Sequence, residues 1–253
     1  MGVIARTPTD LRAVLRAAAR RHACDRSSFA FTDAERQATP LVGKAQRILF
    51  VPRFENHPVD PEIHDSVTAA ARLLRDLGHH IQEGAVPFDV ERLNAIWNLI
   101  GPAGLAWLVD QQALDTSLMN PGLLPMVDNG RKATAQAYIQ LLADVRELRS
   151  ELARLFEDFD FILTPSVAAL PWPKADSHPD TIDGQAAGPR GHAIFTPFVN
   201  AGGLPGINLP TTPSAGGLPI GCQLVGPFGS DLQLLAMADA YAEAFGPYQW
   251  PSL

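Results

Sequence analysis

The sequence has little cysteine, little lysine and no long apolar run, and each shortage excludes a class of protein. Cys24 and Cys222 are the only cysteines among 253 residues and lie far apart, so a disulfide scaffold is excluded and a reducing compartment is favoured. No stretch of about 18 apolar residues is present, so we expect no membrane partner. The first residues lack an apolar run typical of secretory signals, and we expect a cytoplasmic protein.

The charge of the chain argues against a nucleic-acid partner. Only 3 lysines accompany 17 arginines, the basic residues are scattered, and the formal net charge is −7. Binding to phosphate backbones requires a concentrated positive stripe, which is missing here. The share of hydrophobic residues is 46% and that of charged residues 19%, which is the composition of a folded chain rather than a disordered one.

Histidine is the residue type that most suggests a metal site in this sequence. Four of the 7 histidines occur in one stretch, at His57, His64, His79 and His80. No carboxylate recurs at ligand spacing beside them, and neither H-E-x-x-H nor C-x-x-C occurs. We interpret them as surface or loop histidines and predict no metal site.

Hydrophobic periodicity predicts alternating strands and helices. Strands are predicted at 47–51, 79–82, 159–165, 206–210 and 218–226. Helices are predicted at 7–18, 61–77, 90–115, 132–157 and 230–245. Thr7 and Ser230 are the predicted N-caps of the first and last helices, and the helix at 90–115 is expected to break or kink at Gly101-Pro102. A turn through residues 214–217 predicts an antiparallel hairpin. A loop is expected at 116–131. Residues 165–193 show no periodicity and are too long for a plain connection, so we expect a functional loop or cover there. We predict an α/β protein with a mixed β-sheet sandwiched by helices, in one domain over residues 1–253.

No activated nucleophile can be recognised from the residues alone. The G-x-S-x-G elbow is missing, and Ser214 falls in the predicted hairpin turn rather than in a nucleophile loop. Ser27 and Ser28 form the one serine pair. Neither lies in a glycine-rich run that could supply backbone donors to an oxyanion. We predict no catalytic residue in this chain.

Four segments resemble one enzyme family, and one of them, residues 231–235, matches the usual opening of that family's last helix. Residues 194–226 read I-F-T-P-F-V-N-A-G-G-L-P-G-I-N-L-P-T-T-P-S-A-G-G-L-P-I-G-C-Q-L-V-G, which closely resembles the C-terminal signature of the amidase-signature hydrolases. Residues 159–165 resemble the family's strand into the substrate cleft, and residues 2–11 resemble the segment just after its catalytic serines. The resemblance implies a mixed α/β/α sandwich, hydrolysis of the carbon–nitrogen bond of an amide, and no metal or organic cofactor.

The resemblance also implies where the catalytic parts belong. In such enzymes a serine attacks the carbonyl, a second, cis-bonded serine relays its proton to a lysine, and a glycine-rich loop holds the oxyanion. These parts belong upstream of the segment that residues 2–11 resemble. We therefore expect this chain to be the C-terminal portion of an amidase-type hydrolase, incomplete at the N-terminus and inactive alone.

Two alternatives to a truncated amidase stay open. One is a non-catalytic binding or assembly protein that retains the amidase fold, and the other is one half of a split amidase. The nucleotide sequence upstream of Met1 would distinguish them. An in-frame extension with a serine-rich glycine loop would indicate truncation. A clean start site would indicate a non-catalytic protein, and a neighbouring reading frame that encodes the missing half would indicate a split enzyme.

Four residues are candidates for substrate binding under this resemblance. Thr164 and Pro165 end a predicted strand, where open α/β sheets bind ligands. Phe195 and Asn200 precede a glycine-rich turn that is expected to approach the cleft. Gln223 lies in an apolar strand, so we expect it to bond buried backbone groups rather than substrate. The expected partners are a small-molecule amide, once an N-terminal part completes the cleft, and other copies of the chain through uncovered surface.

Overall fold

A five-stranded mixed sheet organises the larger part of the structure, a computed structural model that describes residues 2–32 and 44–247. The strands are β1 (Arg47–Phe50), β2 (His80–Glu83), β3 (Phe161–Pro165), β4 (Thr181–Ile182), β5 (Gln185–Ala186), β6 (Gly206–Pro210) and β7 (Gly221–Val225). The sheet order is β2-β1-β3-β7-β6, and β4 pairs only with β5 within the described residues. β1 is parallel to β2 and β3, whereas β7 is antiparallel to β3 and β6. The predicted mixed sheet is confirmed.

Seven α-helices accompany the strands in the described part of the chain. They are α1 (Pro8–Ala18), α2 (Pro61–Asp76), α3 (Val90–Gln111), α4 (Leu124–Arg131), α5 (Ala135–Asp158), α6 (Pro197–Gly202) and α7 (Asp231–Phe245). The described residues divide into two compact units, the first with residues 2–32, 44–86, 156–199 and 203–247, and the second with residues 87–155 and 200–202. The prediction of one domain over residues 1–253 stays a prediction.

The segment from β1 through α2 to β2 forms as the sequence predicts. The Asp60 side chain accepts from the backbone N–H of Glu62 (2.9 Å), and Pro61 occupies the first helical position, where no N–H is required. Gly78 follows the helix with a φ of +93°, a conformation that favours glycine. The chain then returns as β2, parallel to β1.

In the second unit, a predicted loop contains a helix. Residues 116–131 form two 3₁₀ turns and then α4, so the loop prediction is wrong. At Gly130, a Cβ atom would lie 1.9 Å from the carbonyl oxygen of Pro102 in α3. This glycine therefore permits close helix packing, where the sequence suggested a turn. Of the break or kink predicted at Gly101-Pro102, the break is wrong, because α3 continues through Pro102, and the kink stays a prediction.

Two hairpins lie in the first unit, and only one of them was predicted. In the hairpin β6–β7, the backbone N–H of Ser214 donates to the Leu218 carbonyl (2.9 Å), which confirms the turn. The second hairpin, β4–β5, lies within residues 165–193, where no strand was predicted, and a functional role for this segment stays a prediction. Asp183 (φ 49°) and Gly184 (φ 70°) join its strands. An Asp-Gly pair with both residues left-handed is a common two-residue hairpin turn.

The helices α1 and α7 pack against each other in the first unit. The Thr7 hydroxyl accepts from the backbone N–H of Asp10 (3.1 Å), as predicted for an N-cap. Arg12 of α1 forms an ion pair with Asp239 of α7. Ser230 precedes α7, but its side chain makes no capping hydrogen bond, because its backbone (φ −87°, ψ 20°) is not extended as capping geometry requires. Ser230 therefore occupies the predicted N-cap position but does not cap the helix with its side chain.

Candidate functional site

The carboxyl end of β3 forms the centre of the candidate site. β3 lies in the middle of the sheet, and all five of its residues are buried. β7 begins and β6 ends at the same edge, since Pro165 pairs with Cys222 and Pro210 with Gly221. Open α/β sheets bind ligands at the carboxyl ends of their parallel strands. The predicted residues Thr164 and Pro165 therefore lie at the edge where a substrate is expected.

The Thr164 side chain is bonded entirely within the protein. It is 0% exposed, its hydroxyl donates to the Pro165 carbonyl (2.8 Å), and its oxygen accepts from Nε2 of Gln223 (3.3 Å). A hydroxyl has a single proton to donate, so this one is already used. Pro165 is buried as well. Substrate binding by Thr164 or Pro165 stays a prediction.

Gln223 joins three segments of the first unit. Its Nε2 donates to the Phe195 carbonyl (3.0 Å) as well as to Thr164. Both N–H donors of the carboxamide are therefore directed at protein groups. Thr164 and Gln223 are also cross-strand partners, which places their side chains on one face of the sheet. The prediction that Gln223 has buried protein partners, a backbone carbonyl among them, is confirmed.

The other two predicted binding residues lie in different surroundings. The Phe195 ring is fully buried and meets Phe54 edge-on, with ring centroids 4.8 Å apart. Asn200 is exposed on α6 and belongs to the second unit. The structure thus connects Thr164 and Phe195 through Gln223. Substrate binding by Phe195 and Asn200 stays a prediction.

Two polar residues beside this network were missed from the sequence. The Ser166 hydroxyl donates to Oδ1 of Asn208, and the backbone N–H of Ser166 donates to the Gly221 carbonyl (3.2 Å). Asn208 is the cross-strand partner of Gln223. Thr164, Gln223 and Asn208 therefore form a polar row across three adjacent strands, on one face of the sheet. The available signal was a polar residue in each strand of the predicted hairpin.

The polar row carries no charge. Cys222 precedes Gln223 in β7 and therefore faces the opposite side of the sheet. Burial raises the pKa of Cys222 to about 12, so it stays a neutral thiol. The Tyr241 hydroxyl donates to the Pro210 carbonyl (3.0 Å), and burial raises the pKa of Tyr241 well above its ordinary range. The polar row consequently offers hydrogen bonds rather than ionic interactions.

Ser28 of the serine pair is bonded within its own turn, and the described histidines belong to no metal-type group. The Ser28 hydroxyl lies in a 3₁₀ turn, 2.6 Å from the Asp25 carbonyl oxygen, and accepts from the backbone N–H of His22 (2.9 Å). Within residues 2–32 and 44–247, no three His, Cys, Asp or Glu side chains form a group that could hold a metal ion. Across the same ranges, no helix has the length and apolar character needed to cross a bilayer.

Several known proteins are similar to this chain in sequence. A family model described as Amidase matches residues 1–235. This chain belongs to the amidase family. AmiC of Mycobacterium leprae (strain TN), provisionally named an amidase, is 30% identical over 212 residues, which are 78% of this chain and 43% of AmiC. The 2-amino-5-chloromuconic acid deaminase of Comamonas testosteroni is 27% identical over 221 residues, which are 83% of this chain and 46% of that deaminase.

Solved structures give the amidase-family chain the same fold. A bacterial aryl acylamidase of the amidase signature family superposes with a TM-score of 0.81 at 21% identity, over 96% of this chain and 52% of that enzyme. The 6-aminohexanoate cyclic dimer hydrolase superposes with a TM-score of 0.78 at 22% identity, over 95% of this chain and 54% of that enzyme. The predicted amidase-signature fold is confirmed. The chain spans about half the length of the relatives that it matches.

Proposed function

We propose that this chain is the C-terminal portion of an amidase-type hydrolase that cleaves carbon–nitrogen bonds in amides. In this proposal it supplies half of the sheet and one side of the substrate cleft, around the carboxyl end of β3. The nucleophilic serine, its serine partner, the lysine and the glycine-rich oxyanion loop are supplied by a preceding portion. The observation that carries the proposal is the family match over residues 1–235, combined with a span of about half the relatives' length.

The geometry at the carboxyl end of β3 supports this role. Thr164, Gln223 and the Phe195 carbonyl form a buried, uncharged hydrogen-bonded chain beside the strand end. Such a chain holds the strand end and the 195 segment in one arrangement, which is what substrate positioning requires. Ser28, by contrast, is bonded to backbone groups of its own turn. A cytoplasmic location is part of the proposal, supported by the free thiols of Cys24 and Cys222.

The decisive experiment compares this chain alone with a fusion. The fusion places in front of it the part of M. leprae AmiC that precedes the matched region, and hydrolysis of an aryl amide is measured for both. We expect no hydrolysis above background for the chain alone, because no binding surface replaces an activated nucleophile. We expect hydrolysis by the fusion.

Two results would contradict the proposal. One is hydrolysis by the chain alone that persists in Ser27→Ala and Ser28→Ala. The other is a fusion that is folded by circular dichroism yet inactive on a panel of aryl and aliphatic amides. The second result would favour a non-catalytic protein that keeps the fold.

We also propose that the chain alone self-associates. Trp107, Leu118 and Ile139 of the second unit are 64%, 84% and 61% exposed, and large exposed apolar side chains favour association. The strands β2 and β6 end the sheet order and present edges that can pair with another chain. Size-exclusion chromatography should show oligomers that bind an apolar dye such as ANS. A monodisperse monomer without dye binding would contradict this.

A further inference from the structure

We propose that Ser166 and Asn208 form a subsite for a carboxamide group at the carboxyl end of β3. The inference rests on the proposed function only in naming that group as part of an amide substrate. Its physical basis is how the two side chains bond to each other. The Ser166 hydroxyl donates its one proton in a hydrogen bond to Oδ1 of Asn208. That leaves lone pairs on Ser166 Oγ as acceptors, beside the two N–H donors of Asn208 Nδ2.

The backbone around the pair holds it in place. The N–H of Ser166 donates to the Gly221 carbonyl (3.2 Å), which extends the β3–β7 ladder by one residue. The Asn208 carboxamide fills the space beside Gly221, where a Cβ atom would lie 2.7 Å from Oδ1 and 3.0 Å from Nδ2. Any side chain at 221 would therefore displace this carboxamide. Gly221 explains the packing of Asn208, and the ladder explains the position of Ser166.

Exposure separates this pair from the rest of the polar row. Thr164 and Gln223 are buried and bonded to protein groups, whereas Asn208 is exposed and Ser166 is half-buried. A ligand at this edge can reach Ser166 and Asn208 directly. The buried members of the row fix the strands beneath them, so the pair is presented in a preorganised geometry.

The chemistry of the pair selects its ligand. An acceptor next to a donor is complementary to a primary carboxamide, which presents an N–H and a carbonyl oxygen along one edge. A carboxylate offers two acceptors and no donor, so it satisfies only the Asn208 side of the pair. We therefore expect an uncharged amide to bind in preference to the acid of the same shape.

The test titrates benzamide and benzoate into the isotope-labelled chain and follows the side-chain NH₂ signals of asparagine by NMR. Asn208 is assigned by the signal pair lost in Asn208→Asp. We expect benzamide to shift that pair saturably in the wild-type chain. We expect benzoate to bind at least about tenfold more weakly, the equivalent of one hydrogen bond.

Three variants and one control variant test the assignment of the subsite. Asn208→Asp keeps an acceptor for Ser166 but removes the donors, and Ser166→Ala removes the acceptor, so each should weaken benzamide binding about tenfold. Because Asn208→Asp also removes the side-chain NH₂ signal, binding to the variants is followed by the backbone N–H signal of Leu209, which the wild-type chain and every variant share. Gly221→Ala should weaken it through displacement of the Asn208 carboxamide. Asn129→Asp changes an exposed asparagine of the second unit and should leave binding unchanged.

The failure of this subsite is distinguishable from failure of the proposed function. No saturable shift in the wild-type chain, equal binding of benzoate, or unchanged benzamide binding in Asn208→Asp would overturn the subsite, even if the fusion hydrolyses amides. Saturable binding that Asn208→Asp weakens would support the subsite, even if the fusion is inactive.

Discussion

The two ends of the central sheet are held by different kinds of interaction. At the carboxyl end of β3, the uncharged side chains of Thr164 and Gln223 are buried and bonded to each other. At the amino end, the carboxylate of Asp160 accepts from the backbone N–H of Arg47 (2.8 Å) and pairs with its guanidinium (3.3 Å). The side chains of this ion pair are 49% exposed for Arg47 and 35% exposed for Asp160.

The amino end also borders an open surface cleft. Its volume is about 560 Å³, and it is lined by Arg47, His80, Ile81, Gln82, Asp158 and Phe159. Because both side chains of the Arg47–Asp160 pair are partly exposed, solvent screens their attraction and the pair contributes little to stability. Water cannot replace a lost partner in the buried network at the other end. The buried network at the carboxyl end should therefore be the more sensitive to substitution.

The largest effect is expected for Gln223→Leu. This change leaves the Phe195 carbonyl and the Thr164 hydroxyl without their donor, in a buried place. The free energy of unfolding should fall by about 1–3 kcal/mol. Urea denaturation of the chain measures this loss through the transition midpoint.

The matched control for that prediction is Gln82→Leu, because Gln82 is exposed on the edge strand β2. It should change the free energy of unfolding by no more than about 0.5 kcal/mol. Equal midpoints for Gln223→Leu and the wild-type chain would show that the buried network does not stabilise the fold.

An intermediate effect is expected for Tyr241→Phe. The change removes a hydroxyl that donates to the Pro210 carbonyl at the end of β6, and it keeps the buried ring. The free energy of unfolding should fall by about 0.5–1.5 kcal/mol, the net contribution of one neutral hydrogen bond. Phe245→Leu tests the ring instead, because Phe245 stacks on Tyr241 with centroids 5.6 Å apart. A loss for Tyr241→Phe larger than that for Gln223→Leu would reverse the proposed ranking within this end.

The smallest effect is expected for Asp160→Asn at the amino end. An exposed ion pair contributes about 0–1 kcal/mol, and salt screens it. Burial acts to raise the pKa of Asp160, but the backbone and side-chain hydrogen bonds from Arg47 together outweigh it, so the pKa is lowered from 3.8. A lowered folded pKa means that the contribution is fully present above the unfolded value and is lost as the pH falls through the folded one.

Denaturation at pH 7 and near pH 3 checks the sign of this effect. The difference between the wild-type chain and Asp160→Asn should be present at pH 7 and should shrink at the lower pH. A difference that grows on acidification would show that Arg47 does not stabilise the carboxylate.

The sequence predicts the elements of this fold better than the contacts between them. Local signals were sufficient for α2, where Asp60, Pro61 and Gly78 mark the two ends. They failed at Gly130, where the sequence suggested a turn but the residue permits two helices to pack closely. That requirement comes from Pro102, which is distant in the chain, so no local pattern reveals it.

The candidate site shows the same division. The need of Gln223 for a buried partner follows from its place in an apolar strand, and the prediction was right. Asn208 and Ser166 were missed because their relation to Gln223 depends on strand register. Thr164 and Gln223 are 59 positions apart, and the pairing that places them side by side is set by the whole sheet. The Asp183-Gly184 hairpin, in contrast, was readable from its two residues and was overlooked.

The burial of Cys222 beside the polar row makes this thiol a natural reporter of sheet opening. Cys24 is exposed and should react with a thiol reagent at once, whereas Cys222 is 0% exposed and can react only when β7 separates from its neighbours. The delay between labelling of Cys24 and labelling of Cys222 therefore measures the rate of local unfolding at the centre of the sheet. Because the chain carries only these two cysteines, one mass spectrum per time point resolves both events.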